Sequence, residues 1–206
     1  MSATVATVID ARSHVGKIGP NAITRIIEAL GEAEGAPSVR RIFQAAHLEG
    51  YLFESPIDMV DERDVARLHQ TLHDDLGDAR ARSVGRIAGR RTADYLLSRR
   101  IPRPAQIALR CLPAGLASRT LAKAIAKNAW TFVGTGAFSA TYGRPTTFTI
   151  RDCPICRSRR SAEPYCDFYA ATFERLYARL VNHRARVSEV RCRAMGAPAC
   201  AFEIRW

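Results

Sequence analysis

The segment from Cys166 to Trp206 constrains this chain more than any other stretch. It carries three of the six cysteines, Cys166, Cys192 and Cys200, and Glu189 stands three residues before the second. Residues 163–181 predict a helix, because Tyr169, Phe173, Leu176, Tyr177 and Leu180 recur at helical spacing. Cys166 lies three residues before Tyr169 and so shares its apolar face. Two strands should follow, at 186–194 and 199–206. In the second, Cys200, Phe202, Ile204 and Trp206 alternate with Ala201, Glu203 and Arg205, so Cys200 faces inward. A turn at Met195-Gly196-Ala197-Pro198 places Cys192 opposite Cys200. Glu189 and Cys192 differ by three positions, and a regular strand would aim them to opposite faces; bringing them together requires a bulge or a strand end. Spacing alone leaves two readings open. The four side chains form a zinc cage, or the cysteines are ordinary buried thiols.

The remainder reads as a helical body. Gly19-Pro20-Asn21 opens a helix with Ile23, Ile26, Ile27 and Leu30 on one face, ended by Gly31 to Gly35. Pro37 starts another, with Val39, Ile42 and Phe43 inward. Asp61 caps a helix through Leu76, and residues 78–99 form the longest one. Two helical pieces flank Pro113. Residues 137–142 and 146–151 then alternate as two strands that join the C-terminal pair in a four-stranded antiparallel sheet. The fold class is therefore α+β: a helical N-terminal body packed on a four-stranded antiparallel sheet with a zinc-locked C-terminal hairpin. The expected division is a leader at 1–18, with a short strand at Ala3 to Ile9 at most, and one ligand-binding domain at 19–206. Residues 19–133 are its helical part and 134–206 its sheet and zinc part.

Several side chains stand out on the helices. His69 and His73 are four apart and face one side, a spacing that suits a metal or the axial position of a bound macrocycle. Without a zincin glutamate between them, ordinary boundary histidines are the favoured reading. Gly85 and Gly89 are also four apart, and mid-helix glycine costs about 1 kcal/mol against alanine. Two in register mean that something packs very close, either another helix or a flat ligand. Arg82, Arg86 and Arg90 form a stripe beside them that suits carboxylates, although a solvated basic face is the favoured reading. Cys153-Pro-Ile-Cys156, flanked by Arg151, Arg157, Arg159 and Arg160, is either a redox pair or half of a rival zinc set completed by two C-terminal cysteines. Its flanking cations should lower the thiol pKa values.

Composition excludes some classes. The net charge of +11 comes almost wholly from arginine, with lysine only at positions 17, 123 and 127. Such a surface attracts anions, but no helix-turn-helix or base-stacking motif points to nucleic acid. No apolar run reaches the ~18–20 residues that span a bilayer, and the N-terminus lacks the features of a secretory signal. A cytoplasmic protein is expected, with peripheral membrane contact and a homodimer left open, and with its cysteines as thiols or metal ligands. No dinucleotide fingerprint, Walker loop or ferredoxin-type cysteine run is present; Gly134-Thr135-Gly136 follows a helix instead of a strand.

The pattern Cys166, Glu189-Val-Arg-Cys192, then seven residues to Cys200, closed by Gly196, Phe202 and Ile204, resembles the 4-vinyl-reductase domain family. That family includes phenol-sensing domains whose zinc is held by three cysteines and a glutamate at this spacing. The resemblance implies a structural zinc on Cys166, Glu189, Cys192 and Cys200. Residues 89–97 and the Cys153–Cys156 motif extend the likeness to the branch of the family that serves bacteriochlorophyll biosynthesis. It implies a tetrapyrrole ligand and the enzymes of chlorophyll synthesis as partners. Two functions follow as expectations. One is a tetrapyrrole-binding carrier or accessory protein, with Arg82, Arg86, Arg90, Gly85 and Gly89 at the ligand and His69 and His73 in reserve. The other is an 8-vinyl (4-vinyl) reductase fed by an external reductant. The absence of any cofactor motif favours the carrier.

Overall fold

The computed structural model describes residues 16–206. The strand and most of the leader expected at the N-terminus lie outside the described residues. Lys17–Ile18 (β1) falls within that expected leader and pairs antiparallel with Val60–Asp61 (β2).

Helix α1 runs Asn21–Ala45 and is bent at Gly35, whose φ of 80° is outside the helical region. The expected break at Gly31 is therefore a kink four residues later, where Pro37 removes a backbone donor. Gly50–Phe53 (α2) is a single turn. Asp61 caps α3 (Glu62–Leu76), its carboxylate accepting the Arg63 N–H at 2.8 Å. α4 spans Asp78–Arg99. α5 (Arg103–Cys111) and α6 (Ala114–Lys127) sit on either side of Pro113, as read from the sequence.

The sheet contains β3 (Ala137–Thr141), β4 (Thr146–Arg151), β5 (Arg186–Arg191) and β6 (Ala199–Arg205). All neighbours are antiparallel, in the order β3-β4-β6-β5. Helix α7 (Asp167–Leu180) fills the space between this sheet and the helical body. Its Phe173 meets Phe148 and Phe202 of the sheet at ring-centroid distances of 5.0 and 5.6 Å. The other side of α7 packs on α4.

That contact explains the glycine pair. A Cβ on Gly89 would lie 2.3 Å from the Phe168 carbonyl oxygen and 3.0 Å from the Ala171 Cβ, whereas one on Gly85 would meet nothing closer than 3.7 Å. The close neighbour is a helix backbone. Two substitutions should therefore move stability in opposite directions. Gly89→Ala forces α4 and α7 apart and should cost about 1–3 kcal/mol. Gly85→Ala fills ordinary contact space and should gain up to about 1 kcal/mol of helix propensity. Urea denaturation of the two variants checks this; equal effects would mean that the glycines do not set the helix spacing.

Candidate metal centre

Three segments converge behind the hairpin. The first is the turn after β4, which carries Cys153 and Cys156. The second is the residue before α7, Cys166. The third is the β5–β6 hairpin, which carries Glu189, Cys192 and Cys200. All five cysteines are 0% exposed. The sulfurs of Cys153 and Cys166 are 3.6 Å apart, those of Cys156 and Cys200 are 3.4 Å, and those of Cys166 and Cys200 are 3.7 Å. Two sets of four have ligand atoms that all lie within 4.8 Å of one another: Cys166, Glu189, Cys192 and Cys200, and Cys153, Cys156, Cys166 and Cys200. The sequence offered these as rivals; the structure assembles both.

Each ligand is aimed by a local device. The β5–β6 register shifts between Glu189 and Arg191, which is the irregularity that the three-residue spacing of Glu189 and Cys192 demanded. The hairpin closes through a 3₁₀ turn at Arg193–Met195 and then Gly196 at φ 90°, a left-handed conformation that favours glycine. Cys166 corrects one expectation. It precedes α7 instead of lying on it, with φ −95° and ψ 45°. Pro164 disfavours a helical conformation at Glu163, and the Cys166 N–H donates to Glu189 Oε2 at 2.8 Å. The carboxylate thus ties the helix start to the hairpin. Its other oxygen, Oε1, is buried without a hydrogen-bond partner.

The electrostatics fit a cation. Burial pushes the Glu189 carboxyl up to about 9 and drives the Cys166 thiol well above its usual value. Hydrogen bonds from neighbouring thiols, Cys156 first for Cys192 and Cys153 first for Cys200, bring these two down to about 6. The expected lowering of the Cys-x-x-Cys pair by its arginines fails at Cys156, whose thiol is raised, chiefly by its contact with Cys153. The cations are engaged elsewhere: Arg157 pairs with Glu62, and Arg159 pairs with Asp74. A zinc ion with sulfur ligands at about 2.3 Å sets tetrahedral edges of about 3.8 Å, close to the observed sulfur spacings. A sulfur-rich donor set with one orphaned carboxylate oxygen matches a thiophilic divalent ion.

The side chains picked out on the helices have other neighbours. Arg82 donates to Asp167 at 2.9 Å and also pairs with Glu163, while Arg86 reaches Asp167 at 3.4 Å. Arg90 is exposed. His73 stacks on Tyr165 at 4.1 Å and meets Asp78 at 2.8 Å. His69 is buried edge-on to Phe168 with Nε2 unpartnered, and burial takes its pKa down to about 3. The sequence did not single out Glu62, at 5% exposed a buried acid that gathers Thr135 and Arg157. Nor did it reveal a groove of about 570 Å³ beside α6, lined by Leu116, Arg119, Tyr142, Arg144 and Trp206. No helix among the described residues is long and apolar enough to cross a membrane.

Comparison with known proteins places this centre in a family. The vinyl-4-reductase domain matches residues 146–206, the segment that holds all five buried cysteines and Glu189. The bacteriochlorophyll synthase 23 kDa chain of Cereibacter sphaeroides is 44% identical over 91% of this chain and 90% of its own length. The protein of the same name from Rhodobacter capsulatus is 38% identical over 90% of this chain and 85% of its own. Among solved structures, an Fe(II) unliganded H-NOX protein from K. algicida superposes with a TM-score of 0.58 at 11% identity, covering 91% of this chain and 96% of that one. The fold is thus H-NOX-like, and the chain belongs to the family of the bacteriochlorophyll synthase 23 kDa chain, with a vinyl-4-reductase domain at its C-terminal end.

Proposed function

We propose that the protein is a tetrapyrrole-binding carrier or accessory factor of bacteriochlorophyll biosynthesis, with a structural zinc at its buried cysteine centre. The observation that carries the reading is the 44% identity, over nearly the whole chain, to a protein named for bacteriochlorophyll synthesis. The H-NOX-like fold supports the ligand class, since solved proteins of that fold are described by their heme. Cys166, Glu189, Cys192 and Cys200 would hold the ion. Four protein ligands complete a tetrahedron and leave no position for substrate, so the ion would lock the hairpin to α7.

The groove beside α6 is the proposed ligand site. Its volume suits a drug-sized or larger flat ligand. Tyr142 and Trp206 offer aromatic walls. The Arg119 guanidinium lies 5.3 Å from the Tyr142 ring centroid, and neither Arg119 nor Arg144 has an ion-pair partner among the described residues. The Trp206 Nε1 is a buried donor without an acceptor. On α4, by contrast, Arg82 and Arg86 already face Asp167, which leaves exposed Arg90 as the remaining anchor of that stripe.

The test is spectral titration of the purified protein with a divinyl protochlorophyllide-type tetrapyrrole. Binding should be micromolar or tighter. A double Arg119→Ala, Arg144→Ala variant should weaken it tenfold or more, at ~1.5–3 kcal/mol per charge-assisted bond. Arg90→Ala should leave it unchanged; the reverse pattern would move the ligand to α4. Absence of any tetrapyrrole binding would overturn the reading. Vinyl reduction is the second reading. It needs thiols or a cofactor at the substrate, and Cys153 and Cys156 are sealed from solvent. Turnover of vinyl to ethyl with NADPH alone would favour it.

A further inference from the structure

We propose that the cysteine centre holds two metal ions and not one, as an edge-sharing pair of tetrahedra bridged by the thiolates of Cys166 and Cys200. The inference rests on the zinc reading above and extends it to a second ion. The two four-ligand sets have just these two residues in common. Two tetrahedra that share an edge need six donors, four terminal and two bridging. The centre supplies six: Cys153 and Cys156 on one side, Glu189 and Cys192 on the other, and Cys166 and Cys200 between them. The bridging sulfurs lie 3.7 Å apart, in contact and central to the cluster. The same economy of six ligands for two zinc ions underlies the six-cysteine binuclear modules of some DNA-binding proteins.

Three features support the second ion. Cys153 and Cys156 have the Cys-x-x-Cys spacing that lets a turn chelate one ion from one side, and residues 154–158 form that turn. Both sulfurs face the shared pair, at 3.6 Å to Cys166 and 3.4 Å to Cys200. They are fully buried, and the polar atoms near them are the other sulfurs of the cluster. The turn is also pinned to the hairpin from outside the centre. The Ser161 N–H donates to the Ala194 carbonyl at 2.9 Å, and Arg193 pairs with Asp152. With one divalent ion the six ionised donors would sum to a charge of minus four in a buried site. A second ion halves that and places a cation between every pair of touching sulfurs. Its entry releases the protons of Cys153 and Cys156 to solvent.

Metal stoichiometry decides the matter. The full chain, stripped by chelation under reducing conditions, is titrated with Zn(II), and then separately with Co(II). Zinc should saturate at about two equivalents per chain. The second Co(II) should lower the paramagnetic signal per ion, because bridging thiolates couple the two spins. A Cys153→Ser, Cys156→Ser double variant should retain about one equivalent and lose that coupling. Should this variant fail to fold, the Co(II) spin titration of the unaltered chain still decides. Saturation at one equivalent, with uncoupled cobalt, overturns the second ion and leaves the single-zinc reading intact. No bound metal overturns both. Iron with acid-labile sulfide in anaerobically purified protein also overturns the proposal, because sulfide would then occupy the bridging role given to Cys166 and Cys200.

Discussion

Replacing Cys200 by serine should empty the metal centre and cost at least about 5 kcal/mol, since the binding energy of a structural metal is folding energy. Cys200 belongs to both four-ligand sets, so its loss opens each of them. It also sits on β6, the strand that pairs with both β4 and β5, with its sulfur accepting the Arg193 N–H at 3.4 Å. The substitution leaves a buried hydroxyl among thiols that have lost their cation. In a chain of this size 1 kcal/mol corresponds to about 2–4 °C, so the thermal midpoint should fall by roughly 10–20 °C. The control is Cys111→Ser. Cys111 is exposed and outside the cluster, and its replacement should change neither midpoint nor metal content. Metal analysis after desalting and a thermal melt check both variants. If the Cys200 variant keeps its metal and its midpoint, the centre does not hold the fold.

The sequence carried the hairpin and the helix faces because each rests on local periodicity. The alternation of Cys200, Phe202 and Ile204 survives unchanged as buried positions of β6. The three-residue gap from Glu189 to Cys192 demanded an irregular strand, and the register shift supplies it. The glycine pair on α4 announced a close approach; its partner, a neighbouring helix backbone, comes from residues about eighty positions away. The start of α7 was missed although Pro164 marks it. The deciding contact, from Glu189 to the Cys166 N–H, is tertiary. The union of the two cysteine sets was illegible for the same reason. Spacing describes each set separately, and only the packing of the β4–α7 turn on the hairpin makes them share sulfurs. The groove beside α6 is likewise assembled from α6, the β3–β4 turn and Trp206, segments with no common motif.

Glu62→Ala should be the costliest change outside the metal centre, at about 2–4 kcal/mol. The carboxylate accepts the Thr135 N–H at 2.8 Å, the Thr135 hydroxyl at 2.7 Å and the Arg157 guanidinium at 2.8 Å. Arg157 follows Cys156 directly, so this one side chain joins the start of α3 to the loop before β3 and to the cysteine turn. The glycines around it make sense only through it. A Cβ on Gly134 would lie 1.8 Å from Glu62 Oε2, and one on Gly16 would lie 2.4 Å from Oε1. Gly134-Thr135-Gly136 is thus a cradle for a carboxylate, where the sequence offered only a weak nucleotide-like motif. Alanine would strand a buried N–H and a guanidinium. Arg157 keeps about a third of its side chain in water (33%), which trims the ion-pair part and sets the upper end of the range. Glu62→Gln retains one acceptor and should fall between alanine and the unaltered chain. Urea denaturation of the metal-loaded proteins measures all three. A cost below about 1 kcal/mol for alanine would show that water replaces the carboxylate freely. The cysteine turn would then be held by its metal and its own backbone alone.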